Sequence, residues 1–140
     1  PASTPDEALR GSETVLLVED DEMVRALAHA ILERYGYTVV ATRNVTDALR
    51  FVQEDSRTIH LMLTDTIMPG MNGPELADRA LSLRPDMKVL YMSGYTDKAF
   101  THTGRWEPGT AFLQKPFTPQ TLAQKLRETL VVSEARDRAA

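Results

Sequence analysis

Four places in this sequence carry polar side chains that can bind ions or transfer charge, and each directly follows a short apolar run. They are Glu19-Asp20-Asp21, Asp65, Ser93 and Lys115. Two carboxylates held about 5 Å apart repel each other by roughly 3 kcal/mol at an effective dielectric near 20. A fold that brings these acids together therefore favours a bound cation, and oxygen ligands without His or Cys suit Mg²⁺ or Ca²⁺.

Every one of these residues also has a purely structural interpretation. The acidic run can compensate the dipole at a helix N-terminus, and Asp65 can form an Asx-turn or a cap. Ser93 alone is most simply a turn hydroxyl, and Lys115 alone is a solvated surface lysine. The chemical interpretation therefore depends on the elements that position the four places.

Apolar runs and helical patterns alternate along the chain. Strands are predicted at 15–18, 37–42, 59–64, 89–92 and 111–113. Helices are predicted at 24–35, 45–52, 75–83 and 119–130, with a short one at 97–103. Such alternation forms right-handed βαβ units, so the sequence predicts an α/β fold, a three-layer sandwich around a mostly parallel sheet. Because the carboxyl ends of parallel strands share the edge where ligands bind, the polar residues are expected to meet there.

Length and composition limit the other possibilities. The 140 residues predict one domain at 13–132, after a flexible linker or cloning remnant at 1–12 and before a polar tail at 133–140. A net charge of −4 with interspersed signs argues against nucleic-acid binding. The absence of Cys excludes disulfides and thiolate metal sites. With no signal-peptide pattern and no apolar run near the roughly 20 residues of a membrane span, we expect a cytoplasmic domain without membrane contact.

The four motifs together resemble the receiver domain of bacterial two-component response regulators. The resemblance covers residues 13–132, and the motifs that carry it are Glu19-Asp20, Asp65 within the stretch 63–73, Ser93, and Lys115-Pro116-Phe117. It implies a flavodoxin-like fold with five parallel strands in the order 2-1-3-4-5 and five helices. It also places the site at the switch point between the first and third strands.

The resemblance implies a metal-dependent phosphoacceptor site. Asp65 is expected to receive a phosphoryl group from a phosphohistidine of a histidine kinase or a histidine phosphotransfer protein. Mg²⁺ is expected to bind Asp20, Asp65 and the backbone carbonyl of Ile67, with Glu19 acting through water. As an isolated domain, such a protein catalyses only its own phosphorylation and dephosphorylation, and it is a monomer or a weak, phosphorylation-dependent dimer.

Further residues are expected to bind the phosphoryl group or to support the site. Lys115 would pair with the phosphoryl charge, and Ser93 and Thr66 would bind its oxygens. Asp21 and Pro116 are expected to support the site, with a cis peptide bond before Pro116.

Phosphorylation is expected to draw Ser93 toward the site and to turn Phe112 inward. This would change a surface formed by the fourth predicted helix, the fifth strand and the fifth helix. Phe112 lacks the hydroxyl of the Tyr often found there, Glu19 replaces the commoner Asp, and Ser93 replaces Thr. Ile67 and Tyr95 are bulky and are expected to shield the acyl phosphate from water, which predicts a long phosphoryl lifetime.

Several alternatives remain open at this point. The Pro/Ser/Thr-rich leader and the stretches 92–97 and 112–119 resemble receivers of hybrid histidine kinases, which favours that context, with a free-standing single-domain regulator second and a non-phosphorylated docking receiver third. An aspartyl-phosphate phosphatase should carry a second acid two residues beyond the nucleophile, where this chain has Ile67. A dinucleotide-binding domain should carry a glycine-rich loop after the first strand, where this chain has Glu19-Asp20-Asp21.

Overall fold

The computed structural model describes residues 8–67, 70–94 and 111–139, with side chains through residue 131. The strands are β1 (Thr14–Val18), β2 (Thr38–Thr42), β3 (Leu61–Asp65), β4 (Lys88–Ser93) and β5 (Ala111–Gln114). The helices within the described ranges are α1 (Glu22–Arg34), α2 (Val45–Glu54), α3 (Gly73–Leu83) and α4 (Pro119–Ala139). Helix α4 is the fifth helix of the sequence prediction, because the short helix predicted at 97–103 lies outside the described residues.

The five strands form one parallel sheet in the order β2-β1-β3-β4-β5, which confirms the predicted flavodoxin-like fold. The register aligns the ends of the strands. Val18 lies opposite Thr64, and Asp65 lies opposite Met92. The predicted chemical residues at these ends therefore lie on one edge of the sheet.

The core consists of two apolar clusters, one on each face of the sheet. Val15 and Leu17 belong to one cluster, and Leu16 and Val18 belong to the other, because successive strand residues point to opposite faces. Strand β3 lies at the centre of the sheet and is buried along its whole length. Asp65 is therefore attached to the most enclosed strand of the domain.

Side-chain caps fix where three of the helices begin. Asp21, Asn44 and Asn72 each accept a hydrogen bond from the backbone N–H three residues later. Such caps typically contribute about 1 kcal/mol each. Asn44 is thus the cap of α2.

Residues just before β1 contact the folded domain. Leu9 packs against the core, and the N–H of Gly11 donates to the carbonyl of Tyr35 at 3.0 Å. Glu13 binds Arg127 of α4 through two hydrogen bonds of 2.9 and 2.7 Å. At the other end of the chain, the backbone of 133–139 continues α4. Among the described residues, no helix is long and apolar enough to cross a membrane.

Candidate functional site

Three carboxylates meet at the carboxyl edge of the sheet. Oxygen atoms of Glu19, Asp20 and Asp65 lie within 4.8 Å of one another. Glu19, which directly follows β1, is fully buried, and Asp65, the last residue of β3, is 6% exposed. Asp20 is exposed to solvent. The cluster is thus enclosed on the side of the sheet and open at Asp20.

Lys115 brings the positive charge predicted for this edge into contact with two of the acids. Its Nζ lies 2.9 Å from Oε2 of Glu19 and 2.5 Å from Oδ1 of Asp65. The residue directly follows β5, and the peptide bond between Lys115 and Pro116 is cis, as the resemblance implied. One ammonium therefore faces a cluster of three carboxylates.

The pKa values reflect this excess of negative charge. Burial and the neighbouring Glu19 together raise the pKa of Asp65 to about 8, although Lys115 opposes the shift. Burial and the neighbouring Glu19 also raise the pKa of Asp20. Burial alone would raise the pKa of Glu19 too, but hydrogen bonds with Asp65, the Asp21 backbone and Lys115 hold it below its usual value. A cation in this cluster would relieve the repulsion that raises the first two values.

The three residues of the acidic run, Glu19-Asp20-Asp21, have different contacts. Oε1 of Glu19 accepts a hydrogen bond from the N–H of Asp21 at 3.0 Å. Asp21 itself points away from the cluster and caps α1 by accepting from the N–H of Val24 at 3.0 Å. Arg25 donates to the backbone carbonyl of Glu19 at 3.0 Å. The helix-start interpretation is therefore right for Asp21, whereas Glu19 and Asp20 join the cluster.

Thr66, predicted to bind the phosphoryl group, uses both of its donors on β4. Its N–H and its hydroxyl donate to the carbonyl of Met92, at 3.1 and 2.9 Å. The residue is 1% exposed. Its side chain therefore faces the neighbouring strand rather than the carboxylates.

Sequence reasoning missed the importance of Gly73, the first residue of α3. Its N–H donates to the carbonyl of Thr66 at 2.7 Å. A Cβ at this position would lie 2.3 Å from the backbone oxygen of Asp65, so no side chain fits. The Asn-Gly pair after the turn was the available signal, because a glycine at a helix start indicates close backbone contact.

The structure also describes three other predicted residues, Ile67, Ser93 and Phe112. The side chain of Ile67 is 50% exposed. The carbonyl of Ser93 accepts from the N–H of Lys115 at 2.9 Å. Phe112 is partly buried, and its ring lies 5.8 Å from that of Tyr91. Tyr95 and residues 96–106, which include the fourth predicted helix of the expected output surface, lie outside the described residues.

Comparisons with known proteins agree with this geometry. A profile of the response regulator receiver domain matches residues 15–127. The sensor kinase CckA of Brucella abortus (strain 2308) is 36% identical over 122 residues, which make up 87% of this chain and 13% of the kinase. The response regulator receiver protein CpdR of the same strain is 33% identical over 119 residues, which make up 85% of this chain and 98% of CpdR.

A solved structure extends the comparison to three dimensions. The crystal structure of the receiver domain from the hybrid histidine kinase CckA is 32% identical in sequence, with a TM-score of 0.70. The match covers 84% of this chain and 98% of that chain. The profile spans nearly all of the described sheet, and the acidic cluster and Lys115 stand at its carboxyl edge. The chain therefore belongs to the response regulator receiver domain family of two-component signalling.

Proposed function

We propose that this chain is the phosphoacceptor of a phosphorelay, in which Asp65 receives a phosphoryl group from a phosphohistidine. The observation that carries the proposal is the contact of 2.5 Å between Oδ1 of Asp65 and Nζ of Lys115, beside two further carboxylates. An acid that is 6% exposed at a strand end, next to an ammonium and a cation-binding cluster, suits nucleophilic attack on phosphorus. We place this reaction in the cytoplasm, where histidine kinases present their phosphohistidine.

In the transfer, an oxygen of Asp65 attacks phosphorus, and the bond between phosphorus and the imidazole nitrogen breaks. The imidazole leaves with the electron pair of that bond, and Asp65 becomes an acyl phosphate. Nζ of Lys115 lies close enough to Asp65 to pair with the negatively charged phosphoryl oxygens once the phosphoryl group is attached. Ser93, on the same edge of the sheet, supplies a hydroxyl for one oxygen. A contact from Thr66 would use one of the donors that now bind Met92.

The donor set fits Mg²⁺. Glu19, Asp20 and Asp65 offer only oxygen atoms, and the repulsion from Glu19, which adds to burial in raising the pKa of Asp65, favours a cation. Asp20 and Asp65 would hold the ion directly, together with the carbonyl of Ile67, and Glu19 would act through water. When bound, Mg²⁺ neutralises charge on phosphoryl oxygens.

A partner that carries the phosphohistidine has an apolar surface to dock on. Met23 and Leu27 of α1 are exposed, and Leu27 lines a groove of about 260 Å³ with Phe117. Lys115 lines the same groove, so a helix docked there would bring its histidine next to the site. This surface supports a histidine phosphotransfer protein or the dimeric histidine domain of a kinase as the partner.

The same contacts supply a switch. A phosphoryl group on Asp65 would attract the hydroxyl of Ser93, and the proposed inward turn of Phe112 would follow. Phe112 already packs beside Tyr91 and the core cluster, so its ring could rotate inward while it stays in contact with apolar side chains. Strand β5 and helix α4 would then present an altered output surface.

Intact mass after incubation with acetyl phosphate and Mg²⁺ tests the proposal. The wild type should gain one phosphoryl group, and EDTA or Asp65→Asn should abolish the gain. Asp86→Asn is the matched control, because Asp86 is an exposed acid outside the cluster and its loss should change nothing. No gain in the wild type would favour the docking receiver, and a gain that survives in Asp65→Asn would identify another nucleophile.

We propose the receiver of a hybrid histidine kinase as the parent context, with a free-standing regulator as the second candidate. The match to a sensor kinase supports the first, and the match along nearly all of CpdR supports the second. Phosphoryl transfer rates from a panel of purified phosphorylated donors distinguish them. A receiver of a hybrid kinase should accept fastest from the histidine domain of its own chain or from its phosphotransfer protein.

A further inference from the structure

The end of β4, where Ser93 lies, is held from both neighbouring strands. On the β3 side, the carbonyl of Met92 accepts two hydrogen bonds from Thr66. On the β5 side, the carbonyl of Ser93 accepts from the N–H of Lys115. The two peptide units that flank the Cα of Ser93 are therefore both fixed, and each is fixed by a residue of the site or its direct neighbour in sequence.

The hydroxyl of Thr66 makes a contact that sheet pairing does not require. Asp65 pairs with Met92 in the parallel register, so the N–H of Thr66 simply continues the ladder. The hydroxyl adds a second donor, 2.9 Å from the same carbonyl oxygen. Because Thr66 is 1% exposed, this contact is shielded from bulk water and holds a defined geometry.

We propose that the Thr66 hydroxyl is a positioning group for Ser93, which makes Thr66 a residue that acts on the reaction through β4. By fixing the Met92 carbonyl, it sets the angle from which the Ser93 hydroxyl meets a phosphoryl group on Asp65. Without the hydroxyl, the Met92 carbonyl keeps one hydrogen bond on the β3 side instead of two, so the peptide unit before Ser93 is held less firmly and more freedom is lost when Ser93 binds. This inference rests on the proposed phosphoacceptor function of Asp65.

Two substitutions separate the hydroxyl from the rest of the side chain. Thr66→Val keeps the shape and deletes the hydroxyl, whereas Thr66→Ser keeps the hydroxyl and deletes the methyl group. Calorimetry at saturating Mg²⁺ measures the affinity for beryllofluoride, a mimic of the phosphoryl group. Thr66→Val should bind roughly threefold to tenfold more weakly than the wild type, as expected for one lost hydrogen bond, and Thr66→Ser should match the wild type. An affinity of Thr66→Val equal to or above that of the wild type overturns the proposal.

A double-mutant cycle with Ser93→Ala distinguishes positioning from a general loss of packing. If Thr66 acts through Ser93, Thr66→Val adds no further loss of affinity in the Ser93→Ala background. An equal loss in both backgrounds overturns the proposal. Thr66→Ala provides a second deletion of the hydroxyl if circular dichroism shows that the valine variant is unfolded.

The outcome in the wild type separates this inference from the function it rests on. A wild type that binds no beryllofluoride and gains no phosphoryl mass overturns both proposals. A wild type that does both, alongside a Thr66→Val variant that matches it, overturns only the positioning role.

Discussion

Replacing Gly73 with alanine should disturb the phosphoacceptor without touching any of its polar neighbours. The new Cβ would lie 2.3 Å from the backbone oxygen of Asp65 and 3.2 Å from the Cα of Thr66. Real Cβ atoms essentially never approach other atoms closer than 3.0 Å, so the start of α3 and the end of β3 must separate by at least about 0.7 Å. Both sides of this contact are backbone, so no side chain can rotate away.

The expected effects follow from that displacement. Overpacking of this kind costs about 1–3 kcal/mol of folding free energy, and the higher helix propensity of alanine offsets at most about 1 kcal/mol. The net loss of up to about 3 kcal/mol should lower the melting temperature by up to roughly 10 °C. Because Oδ1 of Asp65 lies 2.5 Å from Nζ of Lys115, a shift of this size should also slow phosphorylation at least about tenfold.

Urea unfolding and the rate of phosphoryl uptake from acetyl phosphate measure the two effects. Gly94→Ala is the matched control for stability, because a Cβ at position 94 meets no atom of the described residues within 4 Å. The rate should be measured at a temperature where circular dichroism shows both proteins fully folded. A Gly73→Ala variant with the stability and the uptake rate of the wild type would refute the reasoning.

Other changes test other parts of the domain. Glu13→Gln removes a carboxylate whose pKa the hydrogen bond from Arg127 lowers from 4.5 to about 2. A depressed pKa in the folded state stabilises the protein above pH 4.5, and this stabilisation is lost as the pH falls toward 2. Urea unfolding should therefore show that Glu13→Gln lowers the free energy of unfolding by about 1–2 kcal/mol at neutral pH. This difference from the wild type should shrink as the pH falls from 4.5 toward 2. Ile67→Asn should speed the loss of phosphoryl mass several-fold, because the exposed isoleucine is expected to shield the acyl phosphate from water; a wild-type half-life of only seconds in Mg²⁺ would contradict this. Joint replacement of Leu27 and Phe117 by Ala should slow transfer from a phosphohistidine protein far more than from acetyl phosphate, and equal slowing would exclude the docking groove.

The sequence predicted the sheet because hydrophobic periodicity and turn residues agree along most of the chain. All five strands lie within about two residues of their predicted limits. Strand β3 was the clearest case, because an apolar run that is buried on both faces ends at Asp65 and a Pro-Gly turn. The order of the strands came from the family resemblance, since periodicity carries no information about which strands are neighbours.

The acidic run shows where sequence reasoning stops. Glu19, Asp20 and Asp21 are chemically almost equivalent in the sequence, and only the direction of each side chain separates their roles. Glu19 points into the core toward Lys115, Asp20 faces solvent, and Asp21 caps α1. These directions depend on the backbone after β1, which no residue pattern specifies. For the same reason, no residue pattern indicated that the hydroxyl of Thr66 donates to the carbonyl of Met92, and its predicted contact with the phosphoryl group stays a prediction.

The position of the site within the sheet separates a rigid part from a part that can move. Strand β3 is central and buried throughout, so a displacement of Asp65 would break pairings with β1 and β4 together. Strand β5 is at the edge of the sheet and, among the described strands, pairs only with β4, so it can shift without breaking hydrogen bonds to a second strand. Phe112 on this strand is only partly buried, so its ring can move as well. Strand β4 lies between them, and its end is tied to β3 through Thr66 and to β5 through Lys115. A phosphoryl group on the rigid strand can therefore act on the edge strand through the end of β4 as well as directly through Lys115, so the two hydrogen-bonded carbonyls around Ser93 should contribute to the coupling.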